Sequence, residues 1–178
     1  SLAYVRRHLV SRAGEGQLAE ADVSTHWRYL YPITPKPGFY DMKAYFNMDN
    51  GSGKFRGIHA EGNIAAEPLL RKWMGPFSEL GATTVVSGRT GGTDHVYFQA
   101  VGLPGFQFIH DPLDYFARLH HTNADTMDHM RPDDLRQTSV VMAGMLLAAA
   151  NDAKTLPREP LPQQPTDTDP FGYDYPDD

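Results

Sequence analysis

The chain contains no cysteine. That excludes a disulfide framework and every thiolate metal site, so a transition metal held here must sit on histidine, aspartate or glutamate. It has no cluster of lysine and arginine, and its formal net charge is -6. Nucleic acid is therefore not an expected partner. It also lacks any apolar run near the roughly 20 residues needed to span a bilayer, so no membrane partner is expected. No initiating methionine and no signal segment stand at the start. The chain opens directly in a helix-like run, Ser1-Leu2-Ala3-Tyr4-Val5-Arg6-Arg7-His8-Leu9, which reads as the body of something longer.

What is present suffices for one sizeable core: 178 residues, 40% of them hydrophobic. One domain is expected over residues 1–155. Residues 156–178 are rich in proline and end in Tyr173, Tyr175 and Asp177-Asp178. They are expected to form an acidic tail, extended, disordered or draped over a neighbour, with no catalytic role.

Periodicity and punctuation predict the elements. A helix over 2–11 stops at Gly14-Glu15-Gly16, and residues 13–38 are irregular around Pro32, Pro35 and Pro37. A strand over 40–48 delivers Asp49 to a turn at Asn50-Gly51-Ser52-Gly53. Residues 55–59 form a short strand. Residues 61–80 are helical, with Ile64, Leu69, Leu70, Trp73 and Phe77 toward the core and Pro68 or Pro76 limiting or kinking the helix. Thr83-Thr84-Val85-Val86 is β-branched and predicted to be a buried strand. A glycine-rich loop over 88–92 then leads to Thr93 as a helix cap, with helix to Val101. Residues 105–109 make another strand, 111–129 a loop, and 133–153 the last helix. That helix is expected to face the core with Leu135, Val140, Val141, Met145 and Leu146. Strands alternating with helices predict an α/β fold, a three-layer α/β/α sandwich on a mostly parallel mixed sheet. Sites in such sheets gather beyond the carboxyl ends of strands, where this reading places Asp49, Thr93-Asp94-His95 and His121.

The richest stretch chemically is Tyr115-Phe116-Ala117-Arg118-Leu119-His120-His121-Thr122-Asn123-Ala124-Asp125-Thr126. Neutral imidazole is the commonest ligand for zinc-like metals, and the short polar residues after the pair favour an irregular loop. The plain alternative is one partly buried histidine and one on the surface. In the glycine-rich loop, Asp94 opens a helix, where the dipole favours a carboxylate. His59, His110 and His129 read as surface or structural residues, and Trp27 and Trp73 as packing residues. A mononuclear site on His120, His121, Asp125 and His129 is a further possibility. It is awkward, because adjacent side chains in an extended segment point to opposite faces.

Taken in order, Asp49-Asn50-Gly51, Gly91-Gly92-Thr93-Asp94-His95, Gly102-Leu103-Pro104-Gly105 and His120-His121-Thr122 with Asp125-Thr126 resemble the zinc-dependent metallopeptidases of family twenty-eight. The likeness is greatest to the carboxypeptidase Q branch, through Tyr115-Phe116 before the histidines and Asp125-Thr126-Met127 after them. The resemblance implies the C-terminal half of a zinc-peptidase catalytic domain and, in the complete enzyme, two zinc ions and a peptide substrate. It matches Asp49 and His121 to metal ligands, with His120 the less favoured candidate for the second. It suggests Asp94 and Tyr115 as pocket residues, and Asp125 and His120 as supports for His121. The family's general-base Glu and its H-x-D segment have no match, and Ser1 resembles the point just after the Glu-Glu pair. The site in this chain is therefore expected to be partial or empty and the chain inactive alone. The missing N-terminal half or a second copy is expected as partner, and the complete enzyme is expected to be secreted or periplasmic. The alternative is a non-catalytic binding module on the same fold.

Overall fold

The computed structural model describes residues 1–164; the tail residues Tyr173, Tyr175 and Asp177-Asp178 lie outside the described residues. The elements run α1 (Leu2–Tyr4), β1 (Val10–Arg12), α2 (Val23–His26), β2 (Ile33–Pro35), α3 (Pro37–Asp41), β3 (Tyr45–Asn47), β4 (Phe55–His59), α4 (Glu67–Met74), β5 (Thr84–Val86), α5 (Val96–Gln99), β6 (Gly105–His110) and α6 (Pro132–Asn151). The chain forms two compact units. Among the described residues, one comprises Ser1–Tyr45, Thr90–Gly105 and residues 157–164; the other comprises Phe46–Arg89 and Phe106–Leu156.

The first unit packs Val5, Leu9, Val10, Val23, Trp27, Ile33, Phe39, Phe98, Val101 and Leu103 into one cluster. Strands β1 and β2 pair antiparallel, with Arg12 opposite Ile33. Arg12 is 3% exposed, so its charge must be compensated locally. Its guanidinium donates to the carbonyls of Arg28 (2.9 Å), Leu30 (3.0 Å) and Ala100 (3.1 Å). The same group lies over the rings of Trp27 and Tyr31, an arrangement that favours a cation. The helix expected over 2–11 ends earlier than that, because wide helical turns at Val5–Leu9 give way to β1. The strand expected from residue 40 starts later, because Pro37 opens a helical turn that continues to Asp41. After Leu156 the chain is draped over α3: Arg158 donates to the carbonyls of Phe39, Tyr40 and Met42.

The second unit is built on a four-stranded sheet in the order β3-β6-β4-β5. Strands β4 and β5 are parallel and β4 and β6 antiparallel, so the expected α/β class with a mixed sheet is what the chain forms. At Gly57 the neighbouring strand comes so close that an added Cβ would lie 2.1 Å from the Thr84 carbonyl oxygen. Strand β5 pairs with β4 only from Gly57 onward, so the backbone groups of Phe55 on that edge need another partner. Gln137 of α6, buried, accepts from the Phe55 N–H (2.9 Å) and donates to the carbonyls of Phe55 (2.9 Å) and Leu80 (3.1 Å). Aromatic rings run along the sheet as a column. Phe46 touches Phe106 and Phe108, Phe55 stacks on Phe108 at 4.1 Å, and His110 meets Phe55 edge-on at 4.5 Å.

Several core expectations change. The helix over 61–80 is broken by its prolines into a turn at Ile64–Ala66, α4 and a tighter helix at Gly75–Leu80. Ile64 is 69% exposed and not in the core. Strand β5 is an edge strand that buries only Val85. On α6 the buried face holds Gln137, Thr138, Val141, Met145 and Ala149, while Leu135, Val140 and Leu146 are exposed. Thr93 does not cap α5: His95 takes the N-cap position, with no side-chain cap bond.

Two measurements follow from this packing. Gly57→Ala should destabilise the protein by roughly 1–3 kcal/mol in urea unfolding, because the new methyl meets backbone rather than a movable side chain. At the end of α6, Asp152 accepts from Lys72 Nζ (2.7 Å), Trp73 Nε1 (2.9 Å) and the Lys154 N–H (3.0 Å). These donors, Lys72 first, hold its carboxyl far below the usual range. A depressed folded pKa gives stability that is complete above the unfolded value of about 3.9 and is lost as pH falls from there. The stability gap between the parent protein and Asp152→Ala should therefore be constant near neutrality and shrink below about pH 4 in acid titrations of unfolding.

Candidate functional site

Two loops of the second unit meet beside the end of the sheet. One spans residues 48–54 after β3, the other residues 111–129 after β6. The backbone carbonyl of Asp49 accepts from Gln107 Nε2 at 3.0 Å. Gln107 is itself buried on β6 and accepts from Asn47 Nδ2 at 2.6 Å. Asp49 Oδ1 accepts the N–H of Asn50 at 2.7 Å, and Asn50 lies in the left-handed region at φ 60°. The same carboxylate oxygen accepts the Tyr115 hydroxyl at 3.3 Å, across 66 residues of sequence.

Tyr115 opens a wide helical turn, Tyr115–Leu119, anchored by the buried Leu119. Its ring lies 5.0 Å from Phe116 and 5.1 Å from His120, and His120 stacks on His121 at 3.8 Å. His120 is half-buried and His121 exposed. His121 has φ 58°, a conformation that costs a non-glycine residue of order 1–3 kcal/mol. The next residue secures it. The Thr122 hydroxyl lies 2.9 Å from the Arg118 carbonyl and 3.0 Å from that of Leu119, and it accepts the Ala124 N–H at 3.2 Å.

Burial pushes the Tyr115 phenol up to about 12; the Asp49 carboxylate adds to this by charge and hydrogen bond, and Asp125 by charge, while the Asn50 N–H opposes it. The hydroxyl is thus a permanent donor at neutral pH. Burial lowers the pKa of His110 at the end of β6, against its bond to the Gly53 carbonyl and the charges of Asp49 and Asp111.

Of the residues selected from the sequence, Asp49, Tyr115, His120 and His121 form a continuous set of contacts, and Asp125 acts on Tyr115 through its charge. Asp94 belongs to the first unit, where it is exposed and its carboxylate lies 3.9 Å from the Ser1 amino group. His95 in the same unit is fully buried, with Nε2 at 3.2 Å from Thr90 Oγ1. Among the described residues no group of three or more His, Asp or Glu side chains could hold a metal ion. The mononuclear arrangement of His120, His121, Asp125 and His129 is therefore not formed. Nor do Asp49 and His121 alone fit zinc, which takes three or four protein ligands in most sites. Gln107 was not selected. Its signal was a lone polar residue inside the apolar run Phe106-Gln107-Phe108-Ile109, which must find partners once buried.

The raised phenol offers a direct check. In metal-free buffer, Asp49→Asn should bring the Tyr115 pKa down toward the ordinary value of about 10, read by the ring-carbon NMR shifts of Tyr115 against pH. An unchanged titration would show that burial alone sets it.

Residues 28–146 match the model of Peptidase family M28. Carboxypeptidase Q of Homo sapiens is 29% identical over 113 residues, 62% of this chain and 24% of its own length. The Mus musculus protein of the same name is 30% identical over the same shares. The chain thus spans about a quarter of the length of these curated relatives. A solved structure of a Peptidase M28 precursor from Shewanella amazonensis SB2B aligns with a TM-score of 0.60 at 25% identity, covering 80% of this chain and 30% of that one. The family match takes in both loops and the whole four-stranded sheet. With residues 28–146 of 178 matched, this chain belongs to Peptidase family M28.

Proposed function

We propose that the chain is part of a zinc-dependent exopeptidase of amino- or carboxypeptidase type, to which it contributes Asp49 and His121 as metal ligands. The observation that carries this reading is the Tyr115–Asp49 hydrogen bond. It closes the β3 and β6 loops onto each other and joins Asp49 through Tyr115 to the paired histidines. Family membership and the carboxypeptidase Q relatives support the peptidase class.

The residues of this chain have separate tasks in that reading. Asp49 supplies a half-buried anionic oxygen whose backbone is fixed by Gln107. Tyr115 walls the pocket and presents a hydroxyl that remains protonated. His120 supports His121 by stacking, and Thr122 holds the strained turn beneath it. The cluster contains no glutamate to accept a proton from an attacking water. The general base and the remaining ligands come from further polypeptide, either the rest of a longer protein or a partner.

The purified 178-residue chain should show no turnover of dipeptide or aminoacyl substrates, with or without added zinc. Turnover that is lost to a chelator would overturn the reading of an incomplete site. The longer protein containing this span should hydrolyse such substrates and lose activity to the chelator. The absence of a three-ligand group among the described residues also favours a second reading, a non-catalytic binding module. That reading gains if the longer protein binds a dipeptide and never cleaves it.

A further inference from the structure

We infer that His110, which the sequence marks only as surface or structural, is a positioning residue for Asp49: its Nδ1–H fixes the far end of the loop that carries the carboxylate. This rests on reading Asp49 as a site residue, and the test below uses neither zinc nor substrate, so the two can fail separately.

Gln107 holds the near end of that loop through the Asp49 carbonyl. At the far end His110 Nδ1 lies 3.0 Å from the Gly53 carbonyl oxygen. A carbonyl can only accept, so the bond requires the proton on Nδ1 and fixes the tautomer. The ring itself has little freedom, because His110 is 9% exposed and meets Phe55 edge-on at 4.5 Å. Backbone bonds continue the clamp: Gly53 N–H donates to the Asp111 carbonyl (3.0 Å) and Asp111 N–H to the Lys54 carbonyl (2.8 Å). The loop lies directly on the histidine, since a Cβ at Gly51 would stand 2.5 Å from His110 Cβ.

With residues 49 and 53 both fixed, the intervening residues hold Asn50 in its left-handed conformation, and its N–H stays on Asp49 Oδ1. Phenylalanine would continue the aromatic column equally well. What it would lack is the donor, and the donor is what the inference assigns.

The experiment uses the ¹⁵N-labelled chain. Ring-nitrogen NMR should show the Nδ1-protonated tautomer of His110; the Nε2-protonated form would overturn the inference. The Asn50 amide, bonded to Asp49, reports the carboxylate's place, and the Trp73 indole N–H, bonded to Asp152 at 2.9 Å, reports the fold of the same unit. His110→Phe should shift the Asn50 amide upfield and speed its exchange about tenfold with the Trp73 signal native. His110→Asn, which keeps an N–H at the δ position, should restore both. An unmoved Asn50 amide in a folded His110→Phe, or a folded His110→Asn that restores nothing, would overturn the inference. Should His110→Phe fail to fold, the tautomer of the parent protein decides.

Discussion

Where the 48–54 loop crosses the end of β6 there is room for backbone but not for a side chain. A Cβ at Gly51 would meet His110 at 2.5 Å, and one at Gly53 would meet Asp111 at 2.6 Å. Because both positions are glycine, the loop lies flat against the strand end. Asp49 is then within reach of Gln107 below it and Tyr115 across from it. The aspartate, the phenol and the histidine pair are properties of two loops, yet their common location follows from this one close approach. The raised pKa of Tyr115 depends on it as well, since the carboxylate opposing the phenolate sits at the start of that loop.

Each unit also relies on one long polar side chain to satisfy backbone groups that secondary structure leaves unpaired. In the first it is Arg12, reaching three carbonyls from two segments far apart in sequence. In the second it is Gln137, which bonds both backbone groups of Phe55, ahead of the pairing of β5 with β4, and reaches Leu80 as well. Buried carbonyls and amides left without partners are costly. These two residues therefore do structural work that apolar packing cannot, and their burial is no sign of a ligand.

Much of the fold was legible in the sequence. Strands β4 and β6 and the last helix follow from local pattern, a short β-prone run for each strand and a long stretch led by Pro132 with no further proline for the helix. The core face of α6 was not legible, because its apolar residues run nearly all round the helix and only packing selects Val141 and Met145 over Leu135 and Val140. The first helix was misjudged in length, because no glycine or proline marks the change from helix to strand at Val10. Asp49 and the histidine pair drew attention through their motifs and Tyr115 through its place before them, and the structure joins these residues in one set of contacts. Gln107 and His110 were not singled out, because their importance lies in which backbone carbonyl they meet, and that is fixed only by the crossing of two distant segments. Asp94 was linked to Asp49 by motif order and by its expected place beyond a strand end, and the structure describes it in the other unit.

The composition of the two units has a consequence for how this polypeptide can be divided. The chain passes from one unit to the other after Tyr45, Arg89, Gly105 and Leu156. Neither unit is a contiguous stretch, so neither can be excised, fused to another protein or exchanged by a single recombination event. A break between Arg89 and Thr90 would leave each unit as two chains held together only by packing. Two of these passages, after Tyr45 and after Gly105, fall inside strands β3 and β6, so an insertion there would interrupt the sheet itself.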